Sequence, residues 1–216
     1  MPPLPPPPPP HSHHKGLQYG LCAQAVDFWE EREQDANGRR VGRQVTQSIQ
    51  PSDNGFSQEI VWRDGTAEVF TETRKVSVEL KPPGFEWRWQ TTLIAKRDVT
   101  LDLSAWLIDG QFGYVGLGLR LEPAMFHKKS NVKVVPKQDV RLGITPERII
   151  VQGTRAALTI AQDAAQKDAL YITGCAPGDP GEFAFVSLGP TNARGFPVNN
   201  GDSLNRTYYI TVADVG

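Results

Sequence analysis

Few side chains in this chain can move a proton near neutrality. Three of its four histidines fall in His11-Ser12-His13-His14, and His127 stands alone. Imidazole titrates near neutral pH and ligates metals in its neutral form. The cluster adjoins a proline run, and no acidic or cysteine partner stands at helical ligand spacing, so neither a metal nor another cofactor is expected. Cys22 and Cys175 are the only cysteines, without partner spacing, and read as two separate thiols. A second pattern is Gly116-Leu117-Gly118-Leu119-Arg120. On a strand, both glycines and the arginine share one face. Such a track lets a ligand or another backbone approach closely, and the arginine offers a planar donor fork. The same glycines would equally accommodate bulky core tryptophans, with Arg120 paired to Asp102 or Glu122. Asn205-Arg206-Thr207 is a glycosylation sequon that chance explains in a chain with no visible secretion signal.

The elements that must position these residues read as strands. Trp87, Trp89, Thr91, Leu93 and Ala95 alternate with polar neighbours, and so do Leu101, Leu103, Ala105 and Leu107. Val115, Leu117, Leu119 and Leu121 repeat the pattern. Period-two alternation sends alternate side chains to opposite faces of a sheet. Glu86–Glu122 is therefore expected to form three long neighbouring strands, broken at Lys96–Asp98 and at Asp109–Gly113. Trp87, Leu93, Leu103, Leu119 and Phe185 are expected in one core.

Upstream, Met1–Pro10 is an extended polyproline tail, read as a solvated terminus or as an SH3 or WW ligand. Gly16–Val26 reads as one strand entering the core, closed by Asp27–Glu31. Glu30–Arg40 is a charged loop, Val41–Gln50 a half-exposed strand, and Pro51–Gly55 a turn. Phe56–Trp62 and Thr66–Phe70 flank Arg63-Asp64-Gly65, a hairpin signal, because Asp-Gly supplies the positive φ of a tight turn. Thr71–Leu80 extends the second run as far as Pro82-Pro83. Downstream, Val132–Val135, Asp139–Ile144, Arg148–Gln152, Ala169–Thr173, Glu182–Leu188 and Leu204–Val212 read as strands. Arg155–Leu170 allows a helix, but AALTIA followed by a loop at Gln162–Lys167 is preferred, since helix propensity is a weak prior. Gly189–Gly201 reads as a long loop. Many strands separated by turn residues predict an all-β antiparallel sandwich, with residues 1–12 a tail and 13–216 a single domain.

The chain's 216 residues carry 23 basic and 24 acidic side chains, a net charge of −1. That balance gives no electrostatic case for nucleic acid or an anionic membrane. No apolar run approaches the ~20 residues that span a bilayer. The N-terminus is proline where a signal peptide would be basic and then apolar, so a soluble, cytoplasmic protein is the default expectation.

Five segments in order carry a family resemblance. HHKGLQYG…VDFWEE, from His13 to Glu31, resembles the histidine-pair, glycine, aromatic and DFW motifs of the DUF6807 proteins. FEWRWQTTLIAKRDVTL is similar to that family's central strand pair. GYVGLGLRLEP resembles its glycine-rich strand ending in arginine, at Arg120. FAFVSLGPTNARGFP is similar to its late strand and following loop, and NNGDSLNRTYYITVADVG to its closing strand. The family is also labelled PmoA-like, and its fold resembles the galactose-mutarotase-like supersandwich. The family has further strands before the histidine pair, where this chain has prolines, which implies a sandwich shortened at its N-terminal side. Asp168–Gly174 lacks the tryptophan of the family's late segment. A methane-oxygenase role finds no copper-holding cluster beyond the tail.

The resemblance implies a carbohydrate ligand and, on the mutarotase pattern, an acid and a base on opposite sides of a sugar ring. His14 and Asp27 are the implied catalytic pair. His13, Trp29, Arg120 and Asn192 are the implied binding residues, with Glu30, Glu122 and His127 nearby candidates. Trp29 suits a stacking platform or the core, and Asn192 a hydroxyl contact or a turn. Three readings stay open: a catalytic sandwich, a non-catalytic carbohydrate-binding or interaction module, and a shortened family member without a competent site.

Overall fold

The computed structural model describes residues 16–30, 38–104, 107–108, 111–112, 114–121, 131–135, 144–173, 184–191 and 194–215. Among them no helix occurs, and the strands in chain order are β1 Leu17–Gly20, β2 Cys22–Ala23, β3 Val26–Asp27, β4 Arg40–Val41, β5 Arg43–Ser52, β6 Gly55–Asp64, β7 Ala67–Lys81, β8 Gly84–Ala95, β9 Val99–Asp102 and β10 Leu107–Ile108. They continue as β11 Gln111–Phe112, β12 Gly116–Leu121, β13 Asn131–Val135, β14 Arg148–Gln152, β15 Ala156–Gln162, β16 Ala169–Thr173, β17 Ala184–Gly189, β18 Phe196–Val198 and β19 Ser203–Asp214.

An eight-stranded antiparallel sheet, β13-β14-β15-β19-β8-β7-β6-β5, forms one layer of a β-sandwich. A four-stranded sheet, β1-β12-β17-β16, and a five-stranded sheet, β18-β9-β2-β3-β4, face it. Alternation decides which side chains meet. Trp62, Val76, Trp89, Leu93, Ile160, Tyr208 and Ile210 point inward from the large sheet. Tyr19, Leu117, Leu119, Leu170, Val186 and Leu188 meet them from the small one, and Leu21, Val26 and Leu101 from the five-stranded sheet.

The tight turn at Gly65 (φ 60°) joins β6 to β7 as the Asp-Gly signal requires. AALTIA is strand β15, followed by a loop.

Four expectations are corrected. The strands of the Glu86–Glu122 stretch are not neighbours, because β8, β9 and β12 lie in three different sheets. Alternation fixes the face a strand buries, not its partner, and at the Lys96–Asp98 break the chain crosses between layers. Gly16–Val26 is not one strand but β1, β2 and the start of β3, split by a two-residue hairpin at Gln24-Ala25. The 189–201 loop contains β18, which pairs with β9. The predicted core is also incomplete. Leu93 and Leu119 are in it, but Leu103 lies beyond the end of β9 and is half-buried. Trp87 is 40% exposed, because β7 and β8 outrun the covering sheet and leave Leu80, Phe85 and Trp87 bare. Phe185 is buried on the opposite face of the small sheet, in a separate aromatic cluster.

Candidate functional site

Charged residues on the buried face of a strand need partners, and β7 carries two. Glu72 and Arg74 share their parity with Phe70 and Val76, so both point inward. The Glu72 side chain is fully buried. Arg74 donates from Nε (2.8 Å) and Nη2 (2.8 Å) to its two oxygens, the bidentate geometry a carboxylate–guanidinium pair favours. Trp62 Nε1 donates to Glu72 Oε2 at 2.8 Å, and Thr91 Oγ1 donates to Oε1. Every lone-pair direction of this carboxylate is thus used, which is what lets a buried charge persist. Arg74 also lies over the Trp89 ring, 4.9 Å from its centroid.

The network extends outward through Gln44 on β5. Arg74 Nη2 donates to Gln44 Oε1 at 3.0 Å, and Gln44 Nε2 donates to the carbonyls of Tyr19 (2.8 Å) and Phe28 (3.1 Å). One amide therefore ties the large sheet to β1 and to the 28–30 segment. A cleft of about 420 Å³ opens there, walled by Gln18, Phe28, Trp29, Glu30, Gln44 and Arg74, with Leu17, Tyr19, Gly42 and Arg43 completing it. Gly42 is required, because a Cβ there would collide with the Phe28 ring.

The DFW segment is held by its own aspartate. Asp27 is buried, and its Oδ1 accepts the backbone N–H groups of Trp29 (2.7 Å) and Glu30 (3.1 Å). That turn places Glu30, itself buried, in the cleft wall. Trp29 is buried too. Its indole covers Gly118, where any Cβ would strike it, and packs edge-on against Phe185 at 5.9 Å. The glycine track therefore makes room for a tryptophan, one of the two roles its sequence allowed.

The same inner face holds a second ion pair. Arg206 on β19 lies opposite Thr91, which lies opposite Arg74, so two arginines flank one threonine across three adjacent strands. Arg206 Nε donates to both oxygens of Asp168 (2.8 and 3.0 Å), and Tyr208 Oη donates to Oδ2. Burial pushes the Asp168 carboxyl above its ordinary range, with Arg206 and Tyr208 opposing. Tyr19 feels both pairs. Burial raises its phenol far above the usual value, and its Oη has no hydrogen-bond partner among the described residues.

Of the residues expected to form the site, Asp27 and Trp29 are brought together in one turn. Arg120 shares the face of β12 that Trp29 covers, and its N–H donates to the Gly16 carbonyl at 2.9 Å. It does not line the cleft. His13, His14, Asn192, Glu122 and His127 lie outside the described residues. Glu72, Arg74, Gln44, Asp168 and Arg206 were not anticipated. For the arginines a signal existed: charged residues at the buried parity of strongly alternating strands, Arg74 between Glu72 and Val76, Arg206 between Leu204 and Tyr208.

Among the described residues no group of three or more His, Cys, Asp or Glu is placed to hold a metal, and no helix is long and apolar enough to cross a membrane. A model of the DUF6807 family, a family of unknown function, matches residues 5–215. No curated protein matches the chain.

Proposed function

The chain belongs to the DUF6807 family, and on that footing we propose that it binds a carbohydrate in the cleft built on Arg74 and Gln44. One observation carries this reading. The polar wall is held rigid from behind by buried Glu72, while Phe28 and Trp29 stand beside it. Fixed donors next to aromatic rings suit a ligand with hydroxyls on its edge and an apolar face. A volume of about 420 Å³ admits a small saccharide. Summed over Arg43, Arg74, Glu30 and Glu72, the surrounding charge is zero, which favours a neutral sugar.

The acid–base work is assigned to His14, two residues before Gly16 in sequence, with Glu30 as its carboxylate partner. Imidazole is the group whose proton exchanges readily near neutrality. Asp27 is assigned the holding of Trp29 and Glu30, since its Oδ1 is already engaged by their N–H groups. His13 and Asn192 are proposed as further hydroxyl contacts, and Arg120, which does not line the cleft, is assigned no contact in it.

A panel of monosaccharides observed by NMR tests this, reading line broadening for binding and anomeric exchange for catalysis. At least one sugar should broaden, and His14→Gln should keep that broadening while slowing exchange. Broadening without exchange in the unaltered protein would reduce the function to binding. A panel in which no sugar broadens would remove the proposal altogether.

A further inference from the structure

A second cleft, of about 490 Å³, lies between the 163–167 loop and β19 and shares no residue with the first. Its walls are Asp163, Ala165, Gln166, Lys167, Asn205, Arg206 and Thr207. Gln166 is nine-tenths buried, and its orientation is fixed because Oε1 accepts the Thr207 N–H. That leaves Nε2 as a buried donor with no acceptor among the described residues. A buried unpaired donor is costly, and a bound ligand's acceptor would satisfy it. Arg206 adds to it. Its Nε is committed to Asp168 and its Nη1 to the Asn205 carbonyl, while Nη2 has no acceptor among the described residues. Lys167 supplies an ammonium that, among the described residues, makes only a long 3.5 Å bond to the Ala164 carbonyl. The facing carboxylate, Asp163, turns Oδ1 onto its own loop, accepting the Ala165 N–H at 3.0 Å.

We propose that this cleft is a separate binding site for an oxyanion group carried by a small metabolite, either a sugar carboxylate or a phosphate ester. The residues that carry these three donors all line it, and a guanidinium and an ammonium match an acceptor-only group. The proposal goes beyond the first cleft and does not depend on it.

The experiment titrates the full chain with D-glucuronate, D-glucose 6-phosphate and D-glucose, following amide and indole resonances. The two anions distinguish carboxylate from phosphate, and glucose controls for the shared ring. The expected result is that one anion shifts the Gln166 side-chain amide and the Thr207 backbone amide, while glucose does not. Gln166→Glu keeps the acceptor for Thr207 N–H but replaces the unpaired donor by a carboxylate. It should weaken the anion by roughly tenfold or more, the scale of a lost charge-assisted hydrogen bond. Lys167→Gln, at an exposed position, should weaken it in the same direction without touching the fold. Equal affinity in both variants, equal binding of glucose, or shifts confined to the Trp29 indole would each overturn the proposal. The last of these would place the ligand in the first cleft instead.

Discussion

Glu72 accepts four hydrogen bonds, from Trp62, Thr91 and twice from Arg74, and has no exposure to water. Its partners are therefore worth more to the fold than any surface pair, since removing one leaves a charge in a low dielectric. Arg74→Ala should cost ~3–5 kcal/mol by chemical denaturation. A loss below 1 kcal/mol would mean that water reaches Glu72. Tyr19 makes the opposite case. Its buried Oη has no partner among the described residues, so Tyr19→Phe should leave stability at pH 7 unchanged or raise it by about 1 kcal/mol. The same variant has a pH signature. An unfolded tyrosine ionises near pH 10, whereas burial keeps Tyr19 and Tyr208 protonated in the fold beyond that. Below about pH 10 both states hold the proton and the contribution is complete. Above it the unfolded state binds fewer protons, and stability falls as pH rises. Urea unfolding from pH 8 to 11 should show that decline, less steeply in Tyr19→Phe. An unchanged slope would contradict the buried, protonated phenol. Neither residue was legible as functional in the sequence. Glu72 and Arg74 look like an ordinary exposed pair until the parity of Phe70 and Val76 is counted with them, whereas Asp27 and Trp29 stood out by motif and are joined in one turn.

At the scale of elements, alternation located most of the long strands, because a side-chain period of two survives any tertiary context. Partners were not legible. β8, β9 and β12 carry the same pattern yet pair in three sheets, since nothing local records which edge a strand will join. The end of cover was equally hidden, as Trp87 and Trp89 have the same parity and only Trp89 is buried. β9 offers a direct check. Leu101→Ala should cost ~2–5 kcal/mol, as expected for a side chain with no exposure, and half-buried Leu103→Ala distinctly less. Equal losses would restore the longer strand that the sequence suggested. The β2–β3 hairpin holds two L-residues at positive φ, Gln24 (48°) and Ala25 (58°), where such turns favour glycine. Asp102 Oδ2 accepts the Ala25 N–H at 2.7 Å, and the Thr100 carbonyl accepts that of Gln24 at 2.9 Å, which hold the turn in place. Ala25→Gly keeps the backbone bond and relieves the strain, so it should raise stability by up to about 1 kcal/mol, read as a higher thermal midpoint. A lower midpoint would show that the flexibility given to the unfolded chain outweighs the strain.

The whole molecule is an all-β sandwich whose polar investment is internal. Its net charge is near zero, but among the described residues two buried arginine–carboxylate pairs place their arginines on the inner face of the large sheet, each arginine lining a different cleft. Sandwich cores gain little from buried ions that a hydrophobic residue of equal volume could replace, so their presence points to a demand other than stability. We attribute that demand to ligand binding in the Arg74–Gln44 cleft. The most direct measurement is a titration of the labelled protein with neutral monosaccharides, following the Trp29 indole N–H and the Gln44 side-chain amide. Both residues line the cleft. Trp29 Nε1 has no hydrogen-bond partner among the described residues, so its resonance serves as a reporter on the cleft wall. The account predicts that at least one sugar shifts both resonances together along a single saturable curve, and that Glu30→Gln weakens that curve. Resonances that stay fixed for every sugar at concentrations well above the millimolar range would contradict it.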